Sequence, residues 1–340
     1  MSAWKEQLAR AVRPESYATL LSRDINQSAL RSTRWRRVSR GYYVPATAGL
    51  TTVASDDPDR PDSVRLSTAQ RILDVTSLMP EGSAVGTWAA AYLFGVDWLD
   101  GLDPHTMAEQ ELVLISPEVR RRSTAGISYR RSQLTGQDTV VRDDVRITSP
   151  ARTAFDGTRR ATSLEEAVVF LDSMLAFGCV SVPQLLAYAV THRTWTGVEQ
   201  AERATALARR GVRSGWETRA RMSWRFDAGL PDPLVNMPIF GPSEELLGIA
   251  DLFDPQSGLV GEFDGGQHRT AEQHRKDNIR EEKLESANLV VVRCDKTDIR
   301  RHRNQLIRRW QDGYRRGQRR NRALDTWTLE QPSWWRRHHW

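Results

Sequence analysis

The sequence predicts a multi-domain α/β protein with an N-terminal winged helix, a mostly helical middle region and a C-terminal α/β domain. Three observations carry this. An arginine-rich hairpin pattern follows two short helical stretches within residues 1–50. From Leu164 to Arg210 the apolar residues recur at helical spacing, punctuated by Gly178, Pro183 and Gly211. From Gly248 to Arg293, two short apolar runs precede a long charged stretch and a third apolar run, Leu289–Arg293. The 340 residues suit two or three domains. The boundaries fall at 1–50, 51–212 and 213–316, with a basic, Trp-rich tail over 317–340.

With 39% hydrophobic and 27% charged residues, the chain can bury a core and is not of the disordered class. The net charge of +6 favours an anionic partner. Nearly all the basic residues are arginine, Lys5, Lys276, Lys283 and Lys296 being the only lysines. Arginine suits bidentate phosphate and guanine contacts. Cys179 and Cys294 are too few for a disulfide framework or a cysteine-based zinc site, and fit a reducing cytosol. The charged N-terminus does not read as a signal peptide. The longest uncharged run, Gly82–Val96, is too short to span a bilayer. A cytoplasmic protein without membrane contact is expected.

In residues 1–50, Ser16–Ser22 reads as a helix and Ile25–Thr33 as a second, with Asp24 as its N-cap. Trp35–Ser39 and Tyr42–Val44 then flank Arg40-Gly41, a tight hairpin. In a winged helix the second helix enters the major groove. Asn26, Gln27, Arg31 and Arg34 would then face bases, while Arg36, Arg37 and Arg40 track phosphates. The alternative is a merely solvated hairpin face.

Residues 51–65 are polar and rich in Asp and Pro, a linker or long loop. Leu66–Leu78 and Trp88–Phe94 read as helices, and Glu111–Ile115 and Ile127–Arg131 as strands. A helix starts at Ser149-Pro150, the proline sitting in its first turn. Ser149 and Asp156 read as cap and surface residues, not as a nucleophile and base. Leu164–Phe177, Val182–Thr191 and Val198–Arg210 complete the helical middle.

The C-terminal domain opens with a helix in which Ser214 and Glu217 form a capping box. After the strand Val235–Phe240, the runs Gly248–Phe253 and Leu259–Phe263 flank the turn cluster Pro255-Gln256-Ser257-Gly258. A four-residue loop pairs Asp254 with Leu259, Phe253 with Val260 and Asp251 with Glu262. Two carboxylates side by side are destabilising. Asp264 shares their face by the period of two. Three acids on one face of an apolar hairpin call for a hard cation such as Mg²⁺. A three- or five-residue loop would instead put Asp251 and Glu262 on opposite faces; the plain alternative to a metal site is that Asp251 and Asp264 merely bound turns, next to Asp254 and Gly265-Gly266. Thr270 and Gln273 form a second capping box, opening a helix over Ala271–Ala287. Gln273, Asp277, Arg280 and Leu284 share one face of it. Ile299–Arg316 reads as an arginine-rich amphipathic helix, and Trp327, Trp334, Trp335 and Trp340 either stack on bases or dock on the body.

Two resemblances follow. E-F-D-G-G-Q-H at Glu262–His268, preceded by a strand ending in Asp251 and followed by D-x-x-R and V-V-V-R, resembles the Vsr-like branch of the PD-(D/E)XK nuclease superfamily. Ser214-Gly215-Trp216-Glu217 resembles the S-x-x-E that begins such domains. This implies a restriction-endonuclease-like α/β/α domain with a mixed sheet. It further implies that Glu217, Asp251 and Glu262 ligate Mg²⁺ or Mn²⁺, with Asp264 and His268 nearby. Where the general motif has lysine this chain has Asp264, so Lys276, Arg280 or His268 would fill that role. Separately, L-R-S-T-R-W-R-R-V-S-R-G-Y-Y-V-P-A, with G-T-W-A-A-A-Y-L-F-G and I-T-S-P-A-R-T-A-F-D downstream, resembles AbiEi-type antitoxins. The combined expectation is metal-dependent cleavage of a DNA phosphodiester, within a toxin–antitoxin or phage-defence system and alongside a cognate toxin. The alternative is a non-enzymatic, antitoxin-like regulator whose nuclease fold only binds.

Overall fold

The computed structural model describes residues 3–53, 63–118, 123, 126–265 and 271–338 of an α/β chain. The chain forms two compact units: Met1–Ala161 with Phe177–Glu202, and Thr162–Ala176 with Arg203–Trp340. Among the described residues no helix is long and apolar enough to cross a membrane.

The first unit begins with α1 (Ala3–Arg10), β1 (Glu15–Ser16), α2 (Tyr17–Leu21), α3 (Gln27–Leu30), β2 (Trp35–Ser39) and β3 (Tyr42–Pro45). The three strands form a sheet in the order β1-β3-β2, and Gly41 turns the expected hairpin at φ +80°. The second helix is shorter than its sequence suggests and is capped by Asn26, not Asp24. The Asn26 side chain accepts the Ala29 N–H at 2.9 Å, and the Ser32 hydroxyl donates to the Ala29 carbonyl at 2.6 Å, closing the helix after one turn. Arg31 is therefore the C-cap and Arg34 lies in the next turn, so the two share no helical face.

The stretch expected as a linker pairs at both ends, β4 (Leu50–Val53) lying antiparallel to β5 (Ser63–Leu66). After α4 (Thr68–Thr76) come β6 (Ala84–Gly86), α5 (Thr87–Leu93), β7 (Leu112–Ser116), β8 (Ile127–Arg131), β9 (Thr139–Arg142) and β10 (Val145–Thr148). These five strands make one mixed sheet, β8-β7-β6-β10-β9. The middle region is thus not mostly helical. β6, β9 and β10 have three or four residues each, too few for the alternation that marks a strand. In α6 (Pro150–Arg159), Asp156 is 1% exposed and paired with Arg152 and Arg159, each at 2.6 Å. It is a buried ion-pair hub, not a surface residue.

The chain then supplies one helix, α7 (Leu164–Ala176), to the second unit. It returns to the first with α8 (Val182–Thr191), and α9 (Val198–Leu207) leads across. Helical spacing alone groups α7 with the middle region. Its polar face belongs instead with α10 (Gly215–Met222). Asp172 and Arg221, each side chain 1% exposed, pair at 2.7 Å, and Thr218 donates to Asp172 at 2.8 Å. Glu166 takes a bidentate contact from Arg219.

The second unit centres on β11 (Leu234–Phe240), β12 (Leu246–Asp254), β13 (Leu259–Asp264) and β14 (Val290–Asp295), in that order. The first three run antiparallel in succession; β14 lies parallel to β13 after the crossover helix α11 (Ala271–Ser286). α12 (Lys296–Arg301) and α13 (Arg303–Gln318) follow where one helix was expected. An Asp295–Asp298 capping box starts the first and His302 interrupts it. Leu306, Trp310, Gly313 and Gly317 form the buried stripe of α13, leaving its arginines outward. Trp310 packs with Trp224, Leu252, Leu259 and Val292 on one face of the sheet, while Leu284 of α11 joins Ile239, Phe253 and Val260 on the other. The sheet therefore carries helices on both faces. The described tryptophans of the tail dock on the body: Trp327 meets Phe253 edge-on at 5.2 Å, and Trp334 and Trp335 meet Phe240. α14 (Ser333–His338) carries the latter two; Trp340 lies outside the described residues.

Candidate acidic site of the second unit

The hairpin register is set by Asp254. Its buried carboxylate accepts from the Ser257 N–H at 2.9 Å and the Ser257 hydroxyl at 2.5 Å, and its carbonyl takes the Gly258 N–H. An Asx-type turn of this kind fixes a four-residue loop, with Gly258 at φ +66° closing it. The ladder runs Asp254–Leu259, Phe253–Val260 and Leu252–Gly261, and there it stops. One step further the strands part: the Asp251 carboxylate takes the Phe263 N–H at 2.8 Å in place of a backbone partner. Side chains alternate along a strand, so Glu262 shares the face of Val260. On β12 both Ala250 and Phe253 pack toward α11, so the alternation breaks across Asp251, which feels the charge of Glu217 on α10 before that of Arg280. Both Phe253 and Val260 pack toward α11.

On that face Arg280 of α11 reaches Glu262 at 2.5 Å. The like-charge cost expected for the hairpin is therefore offset by a cation three turns into the helix. Glu262 is 5% exposed. Burial, and after it the charge of Glu217, push the Asp251 carboxyl up to about 6; the Phe263 N–H, Arg280 and Arg213 pull the other way.

Glu217 is committed elsewhere. Its carboxylate accepts the Arg213 N–H at 2.9 Å, the Ser214 hydroxyl at 3.3 Å and the Asn236 side-chain N–H at 3.1 Å, while Ser214 accepts the Glu217 N–H. This satisfies the start of α10. Among the described residues, Glu217, Asp251 and Glu262 are not one of the groups whose ligand atoms all lie within 4.8 Å of one another. Asp264 sits half-buried at the end of β13, opposite Asp295. His268 lies outside the described residues, as does the side chain of Lys276.

Sequence reasoning missed Asn236. It interrupts β11 at φ +48°, between the pairs Val235–Leu252 and Met237–Ala250. The bend aims its amide at Glu217 and at the Gly211 carbonyl. Asn tolerates this left-handed conformation better than most residues, which is the only signal the sequence held.

In the first unit the expected nucleic-acid residues separate into two groups. Arg31, Arg34, Arg37 and Arg40 are exposed. Arg36 is not available: its guanidinium pairs with Asp74 of α4 at 2.6 Å. Asn26 is exposed, but its carbonyl oxygen is used as the α3 cap.

Comparison of the chain with protein-family models, curated proteins and solved structures finds no significant match.

Proposed function

We propose that this protein is a DNA-binding, metal-dependent endonuclease of the PD-(D/E)XK type, with a restriction-endonuclease-like C-terminal domain and an N-terminal winged helix. The observation that carries the reading is the pair Asp251 and Glu262, one step past the last ladder pair where the β12–β13 hairpin splays, with Arg280 of the crossover helix beside Glu262. The donor set fits Mg²⁺ or Mn²⁺: both groups are hard oxygen donors. The raised Asp251 carboxyl marks a place where added positive charge is favourable. Bound there, a cation would supply Lewis acidity toward water and phosphate. Asp251 and Glu262 would hold it; among the described residues Arg280, already ordered by Glu262, could take the missing lysine's task of neutralising a phosphoryl oxygen. Glu217 acts by fixing α10 and Asn236 beside the site. The resemblance to AbiEi-type antitoxins supports a toxin–antitoxin or phage-defence role in the cytoplasm, with a cognate toxin as partner.

A second reading is favoured by one observation: Glu217 is spent on a helix terminus, leaving two carboxylates where three were expected. On it the chain is a non-enzymatic, antitoxin-like regulator. Supercoiled plasmid incubated with Mg²⁺ or with EDTA separates the two. Nicking with Mg²⁺ that disappears in EDTA and in Asp251→Ala supports the enzyme; intact plasmid throughout, with duplex binding retained, supports the regulator.

A further inference from the structure

β14 ends the sheet, with β13 on one side and no strand on the other among the described residues. Beside it the second unit opens a cleft of about 830 Å³ along β14 and α13. Five arginines line the cleft, Arg293 of β14 with Arg309, Arg315, Arg316 and Arg319 at α13, against two acids, Glu281 and Asp312. Small-molecule pockets are lined mainly by apolar and aromatic groups, and here Val291 and Val292 are the only ones. Three arginines are held in place by acids: Arg293 by Glu281 at 2.7 Å, Arg309 by Asp298 at 2.5 Å, and Arg315 by Asp312. Arg316 and Arg319 are exposed, and among the described residues no acid pairs with either. They lie three apart and so share a helix face with Arg309 and Asp312. At 1.5 Å per residue the stripe from Arg309 to Arg319 runs about 15 Å. A strand adding to β14 is disfavoured, because the Arg309 guanidinium already occupies the Arg293 carbonyl at 3.1 Å.

We propose that this cleft binds the sugar–phosphate backbone of duplex DNA, with Arg316 and Arg319 as its direct phosphate contacts; the inference rests on the DNA reading above. Guanidinium groups in a fixed row match a chain of phosphates, each able to take two hydrogen bonds. The row also leads to the acidic site. Arg293 is the register partner of Glu262 on the adjacent strand, and Glu281, which holds Arg293, directly follows Arg280, which holds Glu262. Arg293 therefore links the cleft, at the open edge of the sheet, to Glu262 on the neighbouring strand, about 5 Å away in a sheet.

The test uses the full chain carrying Glu262→Gln in EDTA, so that binding is read without cleavage, and a fluorescein-labelled 20-base-pair duplex followed by anisotropy across a salt series. Arg316→Gln with Arg319→Gln is expected to weaken binding about tenfold at 0.1 M salt and to lower the slope of log K against log salt by about 2, near 0.9 for each phosphate left without its arginine. Both side chains are exposed, and an unchanged melting temperature confirms the fold. A charge-matched control, Arg193→Gln with Arg203→Gln, is expected to keep the parent slope. The proposal is overturned by a parent slope in the Arg316/Arg319 variant, by an equal drop in the control, or by poly-glutamate displacing the duplex as well as unlabelled DNA does. Absence of Mg²⁺-dependent nicking by the wild-type chain sinks the nuclease reading and leaves this binding result standing.

Discussion

Burial and the neighbouring charge of Glu217 raise the Asp251 carboxyl to about 6, against about 3.9 for a free Asp. The folded state therefore holds that proton more tightly than the unfolded chain does. The associated stability is fully present below about pH 4 and is lost as pH rises through about 6. In EDTA, Asp251→Asn is expected to gain on the order of 2 kcal/mol over the parent between pH 4.5 and 7. Urea melts at several pH values check this, and a difference that stays flat with pH would contradict it. Arg280→Gln takes the cation from a Glu262 that is 5% exposed and should cost on the order of 1–3 kcal/mol. Mg²⁺ is expected to raise the melting temperature of that variant more than that of the parent. Much at this scale could be read in advance. The D-P-x-S-G spacing chose the register that brings Asp251 and Glu262 just past the end of one ladder, whereas the break that Ala250 and Phe253 mark on β12 escaped a strict period of two. Spacing alone could not say that Glu217 would spend its carboxylate on Arg213 and Asn236, because that bond depends on a left-handed kink 19 residues away.

Helix α13 shows how an element is placed by what it lacks. A Cβ on Gly317 would lie 2.2 Å from the Ser257 carbonyl oxygen, and one on Gly313 2.8 Å from a Val292 methyl. The helix can approach the sheet only because both positions are bare, and that approach buries Trp310 completely. Gly317→Ala should cost about 1–3 kcal/mol through forced displacement, and Trp310→Ala about 3–5 kcal/mol. Denaturant midpoints test both, and a neutral Gly317→Ala would mean that the turn at Ser257 gives way easily. The strong periodic helices, α8 above all, were legible from apolar spacing. The sheet of the first unit was not. Its short central strands, Ala84–Gly86 among them, are held by neighbours distant in sequence.

At the scale of the molecule, binding and stability should divide among arginines that look alike in the sequence. Arg36 pairs with Asp74, whereas Arg37 and Arg40 are exposed. Arg36→Ala is expected to lower the melting temperature while keeping the salt slope of duplex binding, and Arg37→Ala with Arg40→Ala to lower that slope by about 2 at constant melting temperature. Equal slopes in the two variants would remove the hairpin from any role on DNA. The path of the chain has a consequence of another kind. α7 leaves the ribosome before residues 177–202, yet its buried Asp172 waits for Arg221, made 49 positions later. Until then a charged group with no partner must stay wet, so the second unit cannot close as it emerges and must assemble after release of a later segment. The same threading sets the size of any piece that could be exchanged between chains: a crossover anywhere between Asp172 and Arg221 parts that ion pair, so a segment that keeps it begins ahead of Leu164 and carries residues 177–202 along.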